Sequence, residues 1–595
     1  MPRLSTGPLP LAAVLILALA LRVWGLTWGL PSPTHYFSYH PDETVVLEHA
    51  SLGMNVFAGQ LLPHFYNYGS LQLYLVCIAN TLAALFGVVD IVPKNYPAIG
   101  EWWPQWAKMY LIGRMLTVGM GVGTVWAVYA IGLRLWGRRA GLLSALTLAI
   151  TPLHAQHSHF LTVDVPATFW GVLSLLWAVR LATGDARPLR AAIWAGVFAG
   201  LAAATKYNMA LAILPLVAAW FVAPPLEPTP ARSSPPLPKR EGQEVKAFAF
   251  QHSSLTRFGR GGELVSRGGF LLSGLLAFVL AFCLACPGAL LETGTFLADL
   301  RFEAVHVQNR DDPTFRDTGN GFVYHVTHNL SAGLGWPLLL LALVSVGYAL
   351  YRRERGDGLL AAFALPYSVL ISLAAVRYAR YDIPLLPILA LWTGRLLADG
   401  TRLTRPVAQK AADWGGRVVL VLTLIWCLRL VGFMATVDVH DWALDWVNNP
   451  ANGSHAPLPA TVAFPTMPWF GTAPVSPYFP YYQRGGWRRL TPPEDAARIV
   501  YNGKDWDADL LEVQKPTTVV LSEYDYDDAL RLKDPDALHY LEVLKRDYRR
   551  RFVLVDGNPA LSTQYTLLEG MPTRGWPHDM LYTNPIISLY QRKGN

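Results

Sequence analysis

Charge is scarce in this chain. Only 15% of its 595 residues are Asp, Glu, Lys or Arg, against 52% apolar residues, and the mean hydropathy is positive. Ordinary soluble domains carry about 25% charged residues, so a large soluble enzyme is excluded and a polytopic membrane protein with a soluble part is expected. Cysteine is almost missing as well. Cys77, Cys283, Cys286 and Cys427 all fall in apolar segments. Cys283 and Cys286 form a C-x-x-C, but no second pair completes a zinc site, so all four read as small buried residues. The net charge of +7 comes from short basic clusters between apolar runs. That pattern sets orientation in a membrane and does not indicate a nucleic-acid partner.

Apolar runs long enough to span occur near 9–29, 110–133, 140–157, 166–184, 191–206, 208–224, 268–290, 334–351, 358–376, 381–398 and 417–437. The first resembles a secretory signal, but it runs on to Leu30 and reads as a retained anchor. A further run, 70–88, decides the sidedness of everything after it. If it does not cross, the clusters Arg134/Arg138/Arg139, Arg180/Arg187/Arg190, 239–267, Arg352/Arg353/Arg355 and 402–417 all face the cytoplasm, as the positive-inside bias requires. The sequence thus predicts eleven spans in the plasma membrane, a cytoplasmic N-terminus and an extracytoplasmic C-terminal domain. The segment 70–88 becomes a juxtamembrane helix of the outer loop 31–109.

Within the transmembrane domain 1–437, the Pro-, Ser- and Arg-rich stretch 225–267 reads as a disordered cytoplasmic linker. The outer loop 291–333 should form a short amphipathic helix near the site. From residue 438 to 595 the pattern changes to a small α/β domain, with buried strands at Thr517–Ser522 and Phe552–Val555 around a helix at Ala537–Arg550.

The stretch Tyr39-His40-Pro41-Asp42-Glu43 follows the first span. Two adjacent carboxylates at that depth suit a reaction that draws a proton from a hydroxyl, because partial desolvation makes a carboxylate a usable base. Helix capping by Asp42 is the bland alternative. A second cluster runs His154, His157, His159 to Asp164 and Pro166, where Asp164 could cap the next helix. His157 and Asp164 could instead hold a divalent cation such as Mg or Mn; no other cofactor is implied. Lys206 sits in a tight apolar hairpin and Arg114 opens a span. Both can snorkel, but a lysine within such a hairpin is costly enough to suggest an anionic partner, and a phosphate is the natural one. Arg377, Arg380 and Asp382 stand on an outer edge that the positive-inside bias should deplete of arginine.

Outward carboxylates with cations at headgroup depth fit transfer from a lipid-phosphate donor to a hydroxyl. Here the chain resembles the C-type membrane glycosyltransferases of family 39, which include the dolichyl-phosphate-mannose–protein mannosyltransferases and the bacterial aminoarabinose transferase. The features that carry the resemblance are His40-Pro41-Asp42-Glu43, Arg114, His159 to Asp164-Val-Pro166, Ala204-Thr-Lys206-Tyr207 and Arg380-Tyr381-Asp382-Ile-Pro384-Leu-Leu-Pro387. The resemblance implies an inverting transfer of one sugar from a polyprenyl-phosphate carrier at the outer face of the membrane. Asp42 would be the catalytic base, with Glu43 and Asp164 as further catalytic residues that hold the acceptor or orient the donor. Lys206, Arg114, Arg377 and Arg380 would bind the donor phosphate. His40, His159, Tyr207, Tyr381 and Asp382 would contact substrate. The partners implied are the lipid-linked donor, membrane lipids and a hydroxyl acceptor that is a lipid, glycan or protein. Two departures stand out. A Lys-Pro-Pro-type stretch is replaced by Asn67-Tyr68-Gly69-Ser70-Leu71, and no β-trefoil insert is visible. The alternative reading is a transporter or flippase for a lipid-linked substrate, which should place charges deep in the spans and show inverted repeats; neither is clear.

Overall fold

The computed structural model describes residues 9–90, 99–222, 256–448, 461–477 except 469, 498–554 except 502, and 566–593. Seven helices among them are long and apolar enough to cross a membrane: Trp102–Trp136, Asp164–Ala182, Pro188–Thr205, Gly268–Ala285, Arg355–Leu373, Ala379–Gly400 and Pro406–Phe433. Shorter apolar helices accompany them at Pro10–Val23, Leu71–Leu85, Tyr207–Val222 and Trp336–Arg352. The helix through Gly268–Ala285 exposes Leu272, Leu276, Leu280 and Leu284, each more than half accessible. At spacing four these form one stripe, which suits contact with lipid chains.

The helix Leu71–Leu85 rises about 22 Å, less than a hydrocarbon core of about 30 Å. The expected span 140–157 is broken. A helix Arg138–Ala149 ends, Pro152 starts a separate turn Pro152–His157, and proline's missing N–H explains the break. The expected linker is also shorter at its C-terminal end, because Thr256–Ala285 is one helix. A helix nucleated by an apolar span extends cheaply into neighbouring residues, even glycine-bearing ones. Residues 225–255 lie outside the described part. The outer loop does form a helix, Thr293–His306, but it is not amphipathic: Phe296 is its only buried residue, while Leu297, Phe302 and Val305 are exposed.

The C-terminal region carries strands β1 (Val462–Ala463), β2 (Ile499–Val500), β3 (Thr518–Ser522), β4 (Tyr548–Leu554), β5 (Thr566–Leu568), β6 (Met571–Thr573) and β7 (Ile587–Arg592). Five of them form a sheet in the order β2-β1-β3-β7-β4. The pairs β1–β2 and β1–β3 are parallel, whereas β7 is antiparallel to both neighbours. Helices Glu523–Arg531 and Pro535–Asp547 follow β3, the second close to the expected position.

This region shares a core with the loop that follows the first helix. Phe37, Tyr39 and Phe160 pack with Phe464, Phe470, Tyr582, Ile587 and Leu589. Tyr39 Oη donates to Asp441 Oδ1 at 2.7 Å, and the amide of Tyr36 donates to the Pro477 carbonyl at 2.8 Å. Gln156 donates to the Met580 carbonyl and to Thr583 Oγ1. Those bonds seat the turn His578–Thr583 against the helical part.

Candidate functional site

A cavity of about 300 Å³ lies where the loop after the first helix meets the start of Asp164–Ala182 and the tight turns Tyr207–Ile213 and Ala379–Leu385. Asp42, Asp164, Lys206 and Arg380 all line it, with Tyr68, Tyr207 and Tyr381 between them and Leu300, Val307 and Leu370 on the apolar side. Local sequence explains each placement. Pro41 occupies the first helical position and His40 is extended, so Asp42 enters the first turn, where the helix dipole favours a carboxylate. His40, and not Asp42, is the N-cap, and it makes no side-chain cap bond. Lys206 is thrown out of its helix by an extended backbone at φ −150°. Gly69 allows the neighbouring loop to close on it: a Cβ there would stand 2.0 Å from the Ala204 carbonyl oxygen.

Two acid–base pairs face each other across the cavity. Arg380 lies 3.4 Å from Asp42 Oδ2 and stacks over the Tyr378 ring at 3.9 Å. Lys206 Nζ reaches Asp164 Oδ1 at 2.5 Å and stands 4.7 Å from the Tyr381 ring centre. Asp42 is a fifth exposed, whereas Asp164 is 3% exposed. The first is therefore the more accessible to an incoming hydroxyl.

Other expected site residues have different work. Glu43 and Arg114 are fully buried and pair with each other, Nε to Oε1 at 2.8 Å and Nη2 to Oε2 at 2.7 Å. Arg114 also donates to the carbonyls of Leu26 and Trp28, and Glu43 accepts from the Leu161 amide. Burial pushes the Glu43 carboxyl up, but Arg114 and the other donors outweigh it and hold the group below its ordinary range. Both charges are thus consumed in a brace under the Asp42 helix, and neither lines the cavity. Arg377 donates to Thr318 and to the Gly319 carbonyl, outside the cavity lining. Asp382 is buried against His325 and Asn329. The ring nitrogens of His159 sit on the carbonyls of Ala155 and Trp24. His40 packs on Phe160 and Tyr582; burial pushes its pKa down to about 4, so it stays neutral behind Asp42. Tyr207 and Tyr381 do reach the lining. Among the described residues no group of three His, Cys, Asp or Glu side chains could hold a metal ion. Asp164, one expected metal ligand, is occupied by Lys206.

Sequence reasoning missed Asp579. Its carboxylate is fully buried and accepts from the amides of Ala379 (3.0 Å) and Arg380 (2.8 Å). Oδ2 also lies 3.6 Å from the Arg380 guanidinium. The C-terminal domain thereby fixes the turn that carries Arg380. A lone Asp two hundred residues downstream, in a segment rich in Trp, Pro and His, gave no signal of this contact.

Three solved structures illustrate the overall likeness. Archaeal oligosaccharyltransferase AglB from Archaeoglobus fulgidus, in complex with an inhibitory peptide and a dolichol-phosphate, is 12% identical with a TM-score of 0.46, covering 97% of this chain and 76% of its own. ArnT from Cupriavidus metallidurans bound to undecaprenyl phosphate is 14% identical with a TM-score of 0.42, covering 98% and 97%. The S. cerevisiae protein O-mannosyltransferase Pmt1-Pmt2 complex bound to the sugar donor is 15% identical with a TM-score of 0.26, covering 53% and 37%. The curated proteins give no match. In sequence, residues 110–237 match the family model described as dolichyl-phosphate-mannose-protein mannosyltransferase.

Proposed function

We propose that this protein moves a single sugar from a polyprenyl-phosphate carrier to a hydroxyl acceptor, with inversion at the anomeric carbon. The carrying observation is the pairing of Asp42 with Arg380 and of Asp164 with Lys206 around one cavity beside apolar helices. The acceptor oxygen attacks the anomeric carbon while Asp42 takes the hydroxyl proton. The bond from that carbon to the phosphate oxygen breaks, and the carrier phosphate leaves with the electron pair. Phosphate is a fair leaving group, so charge neutralisation suffices and no general acid is needed. Arg380 and Lys206 supply that neutralisation, because cationic donors make the stronger, charge-assisted hydrogen bonds to phosphate oxygens. Asp164 holds Lys206 in place, and Asp579 does the same for Arg380.

The basic clusters assign the cavity to the outer face, with the N-terminus inside and the C-terminal domain outside. Eleven spans, the plasma membrane as location, and a hexose or pentose as the transferred sugar complete the reading. The test is binding of the product, undecaprenyl phosphate, to the purified protein. Lys206→Met should weaken it about tenfold or more, as loss of a charged hydrogen bond implies. Unchanged affinity in Lys206→Met and Arg380→Gln alike would remove the phosphate site.

A further inference from the structure

A second cavity, of about 330 Å³, lies between the segment 314–328, whose end is helical from Gly321, and the helix Glu523–Arg531. It shares no lining residue with the first. The sequence builds one wall by helical spacing. Tyr524, Asp527, Asp528 and Arg531 stand at i, i+3, i+4 and i+7, hence on one face. Opposite are Tyr324 and His328, whose rings lie 4.8 Å apart, and Trp576 and His578 close the end.

The polar groups here have capacity to spare. An ionised carboxylate offers about four acceptor sites. Asp527 accepts from Thr573 Oγ1 at 2.8 Å, and Asp528 accepts from Arg531 at 3.0 Å, one oxygen in each case. The Nδ1 of His578 is buried with no hydrogen-bond partner, an arrangement rare in folded proteins unless a ligand or water completes it. Arg531 does not make the chamber cationic, because the carboxylates of Asp527 and Asp528 outnumber it in the lining; its guanidinium is held by the carbonyls of Arg316 and Pro313 at 2.6 Å. Glu523, fully buried in the same wall, is spent on the Arg574 amide and Thr573.

An anion is repelled by such a wall, and a purely apolar ligand would strand its carboxylates unsolvated. A sugar meets every requirement. Vicinal hydroxyls donate to the neighbouring carboxylates of Asp527 and Asp528, an imidazole hydrogen-bonds another, and the C–H face of the ring packs on Trp576. The volume falls at the lower end of small-ligand pockets, about 300–1,000 Å³. We infer that this chamber is a binding subsite for a neutral carbohydrate, separate from the donor cavity. His578 directly precedes Asp579, which holds Arg380, so a glycan resting here lies one layer of side chains from the reacting groups. The inference concerns binding alone and stands apart from the transferase reading.

The experiment titrates the full-length protein in lipid nanodiscs with glucose, galactose, mannose, N-acetylglucosamine, rhamnose and arabinose, following tryptophan fluorescence and saturation-transfer NMR. At least one sugar should saturate in the millimolar range. Asp527→Asn combined with Asp528→Asn should weaken that sugar about tenfold or more, while Lys206→Met in the donor cavity leaves it unchanged. Trp576→Leu, which removes a ring face and no carboxylate, should weaken it too and serves if the double variant fails to fold. No saturation by any of the six sugars overturns the inference. So does a sugar lost with Lys206→Met but kept with the Asp527/Asp528 and Trp576 variants, since that ligand occupies the donor cavity.

Discussion

Replacing Asp42 by Asn separates chemistry from structure more cleanly than any other change in this protein. The side chain is a fifth exposed and its nearest cation is 3.4 Å away; Arg380 keeps a second carboxylate in Asp579, so removing the Asp42 charge strands no cation and costs about 0.2–1 kcal/mol, the range of a solvent-screened pair. Its place in the first turn of Pro41–Glu48 adds about 0.3–1 kcal/mol from the helix dipole. The total stability cost is therefore about 2 kcal/mol at most, and Arg380 remains seated on Asp579. Loss of a general base, by contrast, lowers the rate about 10²–10⁴-fold, or about 2.7–5.5 kcal/mol in the barrier. The assay is transfer of a radiolabelled sugar from its polyprenyl-phosphate donor, with thermal melting in parallel. Asp42→Asn should melt within a few degrees of the native protein and transfer at no more than about a hundredth of its rate. A well-folded variant retaining a tenth of the activity or more would refute Asp42 as the base.

Arg114→Met removes the buried fork with Glu43 and the two backbone carbonyls and leaves the Glu43 carboxylate unpaired, which should destabilise the protein by about 3–5 kcal/mol; melting checks it, and transfer per folded molecule should change little. Asp579→Asn leaves an acceptor for one of the two amides but frees Arg380 on one side. Misplacement of that guanidinium should cost about 10–100-fold in transfer with near-native melting, whereas a purely structural Asp579 would lower melting first. Burial raises Glu523 from 4.5 to about 7. The folded state therefore binds a proton that the unfolded chain releases above pH 4.5, and the stabilisation fades as pH rises through 7. Glu523→Gln does not titrate there, so the melting temperature of the native protein relative to that variant should fall between pH 5.5 and pH 8. A difference constant across that range contradicts the raised value.

The helical part was legible because long apolar runs leave little choice of structure, and the strand at Thr518–Ser522 and helix at Pro535–Asp547 follow from equally strong local patterns. Asp42, Asp164, Lys206 and Arg380 stood out because charge beside apolar runs is costly without a partner. Pairing between distant residues was not legible. Nothing local distinguishes Arg380, which meets Asp42, from Arg377, which turns to Thr318, although the two are three residues apart. Likewise Glu43 differs from Asp42 only in facing inward, where Arg114 takes it. Helix direction separates neighbours by about 100°, and only the packing of the outer loop decides which of two acids reaches the cavity. The break at Pro152 was readable in principle, since proline commonly starts a new helix.

Transfer by this route must release the carrier phosphate. Purified protein in nanodiscs should be incubated with a set of polyprenyl-phosphate sugars and the free carrier phosphate measured by mass spectrometry. Release of the carrier from at least one donor, absent in Asp42→Asn and reduced in Lys206→Met, is the predicted result. Donors that bind and remain intact, or that only move between leaflets of the membrane, would contradict it.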